Sequence, residues 1–461
     1  MGQYLAFRIV GIVVVETSLL VLCVLDAFFI RFNQSVFAFE NGRWSIILKA
    51  LLIAFVFQLF MHLRDVYDFQ KTRSMGANIV RLGQALLPAS VLLWCTYLLF
   101  PSLTVGPEVF VTSLLLSTAF LVTWHTLLRL YFGVRSPRSN ILILGTGQLA
   151  HELMKEITRR PELGFCVRGF VDENPALVGA SIGDPSVIGL YQDLSALVSD
   201  HKIDHIAVEI KDRRGRLPIK TLLDIKTRGI AVEEATSLYE RVTGKIAIEN
   251  LKPSWMIFNP GFQVSRRLLI QKRAFSIIAS TALLLVFSPL MLLAAILIRL
   301  DSPGPIFHRQ KRVGQDGRVF TLWKFRSMHR DAERLTGPVW SNGKHDPRVT
   351  RVGRFLRRSR LDELPQLYNI FRGDMSLVGP RPERPHFVED LAKTIPFYQL
   401  RHAVKPGLTG WAQINYRYAN SVEDTIEKLQ YDLFYIKHMS IVLDAVVMLE
   451  TIKTVLVEKG S

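Results

Sequence analysis

Apolar residues gather into long runs in the first third of the chain and thin out afterwards. Four runs, Phe7–Ile30, Trp44–Leu63, Val80–Phe100 and Phe110–Phe132, are each close to the ~20 residues an α-helix needs to cross a bilayer core. They predict a membrane α-helical bundle over residues 1–135. No basic cluster lies between Gly2 and Phe7 and no small-residue cleavage site follows, which argues against a cleaved signal peptide. The bland alternative is four buried helices of a large soluble core.

The pattern changes at Ser139. Asn140–Gly145 is a short apolar run that predicts a buried parallel strand. Gly145-Thr-Gly147-Gln-Leu-Ala150 then opens a helical pattern toward Arg160. Further strands are expected at Val167–Val171, Ile203–Ile210 and Gly229–Glu233, with helices at Tyr191–Ser199 and Pro218–Thr227. The alternation predicts a Rossmann-like α/β domain over residues 136–245. Its first turn fits G-x-G-x-x-A, so Gly145 and Gly147 would let a phosphate reach the helix N-terminus and Asp172 could hold a ribose. A glycine turn equally serves close packing of strand on helix, and both readings stand.

Residues 246–264 read as a linker. A fifth apolar run, Phe275–Ile298, is as long as the first four, yet Arg266, Arg267, Lys272 and Arg273 precede it and Arg299, Arg309, Lys311 and Arg312 follow. Basic flanks belong on the cytoplasmic side, and here both ends claim it. Pro289 lacks an N–H and would break the helix, while the Ser288 hydroxyl can rebond a freed carbonyl. The expectation is a re-entrant helix over 274–299 that enters and leaves by one face. A Pro-kinked spanning helix is the alternative.

Charge sharpens this picture. The chain carries 57 Lys+Arg against 40 Asp+Glu, a net +17, alongside 49% hydrophobic residues and a mean hydropathy above zero. Such apolar content excludes a disordered chain, and three cysteines without a CxxC pair exclude a disulfide scaffold or a zinc site. Arg64, Lys71, Arg73 and Arg81 follow the second run, whereas Pro101–Val109 holds no basic residue. The N-terminus is therefore expected inside, with Arg129, Arg135 and Arg138 marking the return. Glu16, Asp26 and His125 fall within the spans, where ionisable groups are costly; they either act in function or meet polar groups on neighbouring helices. From Arg266 to Arg384 there are 23 Lys+Arg and nine Asp+Glu, so most of the excess charge lies in this stretch.

The last 200 residues hold the candidate chemistry, a series of charged motifs separated by Gly and Pro. Asp362 and Glu363 are adjacent carboxylates at an expected helix start, three residues after Ser359. As a capping box they would only satisfy helix N–H groups. As a functional pair, projecting ~100° apart, one could attack phosphorus while the other holds a metal. Lys324, Arg326, Arg354 and Arg381 suit the phosphates of a polyanionic substrate, although a basic surface facing anionic lipid accounts for the same charge. Nucleic acid is not expected, because no recognised binding module is visible.

From Arg266 onward the motifs Lys324-Phe-Arg-Ser-Met328, Leu361-Asp-Glu-Leu-Pro-Gln366, Pro380-Arg-Pro382 and Tyr431-Asp-x-x-Tyr-Ile436 closely resemble the bacterial sugar transferases, the polyprenyl-phosphate glycosyl-1-phosphate transferases. The layout of four helices, an α/β domain and this mainly α module resembles their long subgroup. The resemblance implies transfer of a sugar 1-phosphate from a UDP-sugar to undecaprenyl phosphate with Mg²⁺, releasing UMP, at the start of exopolysaccharide, capsule or O-antigen synthesis. It implies a catalytic module over residues 265–461, Asp362 as nucleophile, Glu363 as metal ligand, Arg381 as phosphate contact, and Ser288-Pro289 as the break of the re-entrant helix. It also implies a multi-pass protein of the bacterial inner membrane with a cytoplasmic catalytic face. A homodimer and downstream glycosyltransferases are further candidate partners. The resemblance gives Asp432 no role and the middle domain no ligand.

Two other classes compete. A membrane-bound nucleotide-sugar dehydratase or epimerase would need Tyr-x-x-x-Lys after the glycine turn, and the one such spacing, Tyr67 and Lys71, lies far upstream. A non-catalytic scaffold for polysaccharide assembly would require neither Asp362 nor Mg²⁺.

Overall fold

The computed structural model describes residues 3–33, 43–67, 75–134, 139–180, 185–210, 217–248, 261–330, 332, 346, 348–416 and 421–456. Lys71, Arg73, Arg135 and Arg138, used above for orientation, lie outside them, as does the middle of the expected linker. The chain divides into two units, Met1–Val242 and Thr243–Ser461.

The first unit opens with four long helices, α1 (Gln3–Phe32), α2 (Arg43–Leu63), α3 (Met75–Leu99) and α4 (Pro107–Val134), matching the four apolar runs. α1 packs against α2 and α4, and α2 against α3. Small residues take part in the contacts: Ala27, Ala50, Ala54, Ala85 and Ala89 are buried among larger ones such as Leu20, Phe57 and Leu82, whereas Leu48, Phe55, Leu87, Trp94, Leu98 and Leu115 face outward. An apolar exterior around small-residue helix contacts is the membrane pattern. These four helices and one more below are long and apolar enough to cross a bilayer.

Two of the costly intramembrane groups find each other. Glu16 is wholly buried; its carboxylate accepts from Tyr67 Oη at 2.7 Å and Trp124 Nε1 at 3.1 Å, and lies 3.1 Å from His125 Nε2. The cluster ties α1 to α4 and to the end of α2, so polar partnering is the structural outcome for Glu16 and His125. Asp26 faces outward.

After the bundle comes a five-stranded parallel sheet of β1 (Ser139–Leu144), β2 (Phe165–Asp172), β3 (Val187–Leu190), β4 (His205–Val208) and β5 (Ala231–Glu234), in the order β3-β2-β1-β4-β5. This is the order of doubly wound α/β sheets. Central β1 buries Ile141–Leu144 completely, which is why it reads as an unbroken apolar run. Four helices accompany the sheet: α5 (Gln148–Arg159), α6 (Leu194–Asp200), α7 (Ile219–Thr227) and α8 (Ala235–Thr243).

The second unit begins at Thr243, just before the expected linker. Trp411 Nε1 donates to Gly244 O at 2.7 Å, and Ile246 and Ile248 are buried in the unit's core, so the start of 246–264 is a strap of this unit. Next comes α9 (Arg266–Asp301), 36 residues long with Pro289 inside it. The helix is assigned without interruption across Pro289, where a break was expected. The carbonyl that loses its donor to proline is Leu285, four residues back, and Ser288 Oγ donates to it at 2.7 Å. Ser288 thus repairs the bond that Pro289 removes.

The remainder is mostly helical: α10 (Arg351–Arg358), α11 (Gln366–Arg372), α12 (Pro385–Thr394), α13 (Trp411–Asn415), α14 (Val422–Lys437) and α15 (Ile441–Leu456). An antiparallel hairpin, β6 (Phe307–Val313) and β7 (Val319–Phe325), and a short parallel pair, β8 (Ser376–Val378) and β9 (Gly407–Thr409), complete it. Asn369 fixes the hairpin to α11: its side-chain amide donates to Thr321 O at 2.8 Å and accepts from Trp323 N at 3.0 Å. That registers β7, and with it Lys324, against the segment bearing the paired carboxylates.

Candidate active site

Helix α10 ends at Ser359, Arg360 adopts a left-handed conformation at φ 58°, and a 3-10 turn follows over Leu361–Glu363. The capping-box reading fails here. Ser359 lies at a helix C-terminus and its Oγ donates backward to Phe355 O, while neither acid caps a helix. The reversal at Arg360 turns both carboxylates inward instead.

The two acids then diverge. Glu363 Oε1 accepts from Lys324 Nζ at 3.0 Å and from Arg381 Nη2 at 3.1 Å. Burial alone would raise its pKa, but Lys324 and Arg381 outweigh it and hold Glu363 well below the usual carboxylate range. Asp362 is also buried and makes no hydrogen bond with a described residue. Burial first, and then the Glu363 charge, push its pKa up, with Lys324, Arg357 and Arg360 pulling the other way. One acid is locked ionised and tied; the other is unencumbered.

Asp362 lines a cavity of about 680 Å³ together with Lys324, Arg357, Arg381, Arg401 and Asp432, a size suited to a small-molecule substrate. Asp432, silent in the sequence, accepts from Arg401 Nη2 at 2.8 Å, and Arg401 also donates to Tyr398 Oη and to the carbonyl of Arg381. Burial pushes Asp432 up to about 6, against Arg401 and Lys428. Its role is therefore to position: it anchors Arg401, which holds the Pro380-Arg-Pro382 backbone.

The four expected phosphate contacts do not stay together. Lys324 and Arg381 are on the cavity as described. Arg354 is exposed and outside its lining, and Arg357, one helical turn later, takes that place, with Nε donating to Ser327 Oγ at 2.9 Å. Arg326 borders the cavity, but its guanidinium donates to the carbonyls of Ser302, Pro303 and Ile298 and to Ser302 Oγ. It clasps the end of α9 rather than offering a fork to substrate. Sequence reasoning assigned no role to Arg357, which shares the Arg354-Phe-Leu-Arg357-Arg358 stretch, nor to Arg401 and Lys428; for Arg357 the signal was its place in a strongly amphipathic basic helix.

A metal was expected on Glu363. Among the described residues no group of three or more His, Cys, Asp or Glu converges. Both cations on Glu363 bind the same oxygen, Oε1. Mg²⁺ commonly uses one or two carboxylates plus substrate phosphates; of the pair, Asp362 lines the cavity and Glu363 does not.

The middle domain's turn is already filled. Gly147 N donates to Glu209 Oε2 at 3.0 Å, and a Cβ on Gly147 would lie 2.3 Å from that carboxylate. The place expected for phosphate holds the protein's own anion. Asp172 is engaged too, accepting from Thr146 Oγ1 at 2.7 Å and Asn174 N at 3.1 Å. Gly145 has φ 103° and a Cβ there would meet the Glu209 carbonyl at 2.4 Å, so the glycines serve a tight turn and close packing.

One unit thus holds a helical membrane-type region and a parallel α/β sheet, and the other a mostly helical module with paired buried acids beside a basic cavity. The bacterial sugar transferase family matches residues 267–458 and a CoA-binding domain family matches residues 62–213. The chain is 34% identical over 333 residues to UDP-glucose:undecaprenyl-phosphate glucose-1-phosphate transferase of Escherichia coli K12, covering 69% of this chain and 67% of that protein. It is 41% identical over 232 residues to UDP-N-acetylgalactosamine-undecaprenyl-phosphate N-acetylgalactosaminephosphotransferase of Aeromonas hydrophila (50% and 54%), and 34% over 320 residues to undecaprenyl-phosphate glucose phosphotransferase of Komagataeibacter xylinus (68% and 58%). It thus spans little more than half the length of these last two. The chain belongs to the bacterial sugar transferase family.

Proposed function

We propose that the chain transfers a sugar 1-phosphate from a UDP-sugar to undecaprenyl phosphate through a phosphosugar ester on Asp362. The observation that carries this reading is the division of labour at the paired acids: Asp362 lines the cavity without a hydrogen bond to any described residue, while Glu363 gathers Lys324 and Arg381 beside it. A carboxylate oxygen of Asp362 attacks the phosphorus that bears the sugar. The bond from that phosphorus to the UMP oxygen breaks, and UMP leaves. An oxygen of the lipid phosphate then attacks the same phosphorus and frees the Asp362 carboxylate. Lys324, Arg357 and Arg381 offset the charge that develops on the phosphoryl oxygens. Mg²⁺, held by Glu363 and Asp362 with the diphosphate, would supply Lewis-acid stabilisation of the leaving group. UMP release, measured with undecaprenyl phosphate across a panel that includes UDP-glucose and UDP-N-acetylgalactosamine, tests the reading and selects the sugar; no UMP from any member refutes it.

The nucleophile must be ionised, so rate should rise with pH through the pKa of Asp362. That pKa is raised, which places the acid limb of kcat/KM above the ordinary aspartate value of about 4. Arg357 lowers it. Arg357→Met should therefore move the limb to higher pH, besides weakening substrate binding. A limb that stays put, measured by UMP release over a pH series, would detach Asp362 from the rate.

The re-entrant arrangement of α9 is part of the same proposal. Lys272 and Arg273 near its start and Ile298 near its end all bond within the one catalytic unit. Both flanks should therefore face the cytoplasm. In a background with Cys23, Cys95 and Cys166 replaced by Ser, Ser265→Cys and Arg318→Cys should both resist a membrane-impermeant thiol reagent in intact cells and react after permeabilisation. Labelling of Arg318→Cys alone in intact cells means that α9 spans.

A further inference from the structure

A second cavity, of about 470 Å³, lies beside the first turns of α9 and shares no lining residue with the catalytic cavity. Its walls are largely apolar and include Leu269, Ile270, Ile277, Met375, Val404 and Met439. Four cations border it: Arg266, Lys272, Arg273 and Lys405. Lys272 is spent, being buried and ion-paired with Asp444 while it also donates to Tyr435 Oη.

The other three line the cavity and form no ion pair with a described acid. Arg273 donates to the carbonyls of Ile370 and Phe371, which satisfies its N–H groups without a carboxylate. Lys405 makes no hydrogen bond with a described residue, and burial together with the nearby Arg273 charge holds it below the usual lysine range. The one acid that offsets Lys405, Asp374, is already taken by Asn369 at 3.2 Å and Arg372 at 3.7 Å. Two like charges brought together at the mouth of an apolar cavity mark a place for an anion with an apolar body.

The cavity's position selects which one. Arg266 opens a helix of membrane length, and beyond it Ile270 and Ile278 are 61% and 69% exposed. The basic rim therefore lies where the apolar flank of α9 begins, continuous with the surface that meets lipid tails. A free phosphate would leave the apolar walls unfilled, whereas a lipid would use both parts.

We propose that this cavity binds an anionic phospholipid, its phosphate at Lys405, Arg273 and Arg266 and its acyl chains along Ile270 and Ile277. The site is separate from the catalytic cavity, and the proposal needs α9 to meet the bilayer but does not depend on the transferase reading. An anchored lipid would fix the depth at which α9 sits.

Native mass spectrometry of the full chain, released from mixed micelles of phosphatidylglycerol and phosphatidylcholine, tests it. The wild-type chain should retain one phosphatidylglycerol in preference to phosphatidylcholine. Lys405→Gln should cut that preference about five-fold, the effect of one cation at a lipid surface. Arg266→Gln, at an exposed position on the first helical turn, gives an independent arm should the Lys405 variant fold poorly. Equal retention of the two lipids, or a preference that survives both substitutions, overturns the proposal. Displacement by millimolar glycerol phosphate makes it an anion site only, and stoichiometric displacement by a polyprenyl phosphate makes it an acceptor site; either result also overturns it.

Discussion

Asp362→Asn should lower UMP release at least about 10³-fold, because the substitution removes the anionic nucleophile and nearly preserves its shape. The side chain lines the cavity and makes no hydrogen bond with a described residue, so the fold should tolerate the change. UDP-sugar binding should persist or tighten slightly, since a carboxylate that repels the diphosphate is gone. A second measurement separates covalent from direct transfer. Wild-type chain given UDP-sugar and Mg²⁺ without lipid phosphate should release at most one UMP per active site, and the peptide containing Asp362 should gain one sugar-phosphate mass. The Asn variant should give neither signal. If UMP appears only when lipid phosphate is present and no adduct can be trapped, transfer is direct, and Asp362 becomes a second metal ligand.

Much of the architecture was legible because two strong periodic signals mark it. Membrane-length apolar runs located α1–α4 and α9, and the buried strand before Gly145 located β1. What stayed hidden was short or irregular. β3 is four residues at a sheet edge with Gly189 inside it, too brief for a period to show. The β6–β7 hairpin was missed although Asp316 and Gly317, at φ 56° and 75°, form a recognisable Asp-Gly turn. At the site, the motifs picked out two acids that the structure places beside a basic cavity, but spacing could not separate Arg354 from Arg357 on a helix with four arginines among its eight residues. Nor could it show that Arg326 would be consumed by α9 carbonyls. The glycine turn is a related case: the pattern encodes a cradle, and only the fold brings Glu209, 62 residues after Gly147, into it.

The two acids should fail differently, and Glu363→Gln shows how. Glu363 is the shared counter-charge of Lys324 and Arg381, with only 14% of its side chain exposed. Gln can still accept a hydrogen bond but cannot neutralise two cations, so the variant leaves like charges facing each other. Breaking a buried ionic group in this way costs on the order of 3 kcal/mol, and the unfolding temperature should fall accordingly, a loss that Asp362→Asn should not share. Activity should fall as well, because Lys324 and Arg381 would lose the anchor that aims them at the cavity. The dependence on Mg²⁺ distinguishes the two roles open to this carboxylate. If Glu363 holds the metal, the Mg²⁺ concentration for half-maximal rate should rise several-fold in the variant. A lowered rate and a lowered unfolding temperature with an unchanged Mg²⁺ midpoint would instead confine Glu363 to holding Lys324 and Arg381, and the metal would then rest on Asp362 and the diphosphate.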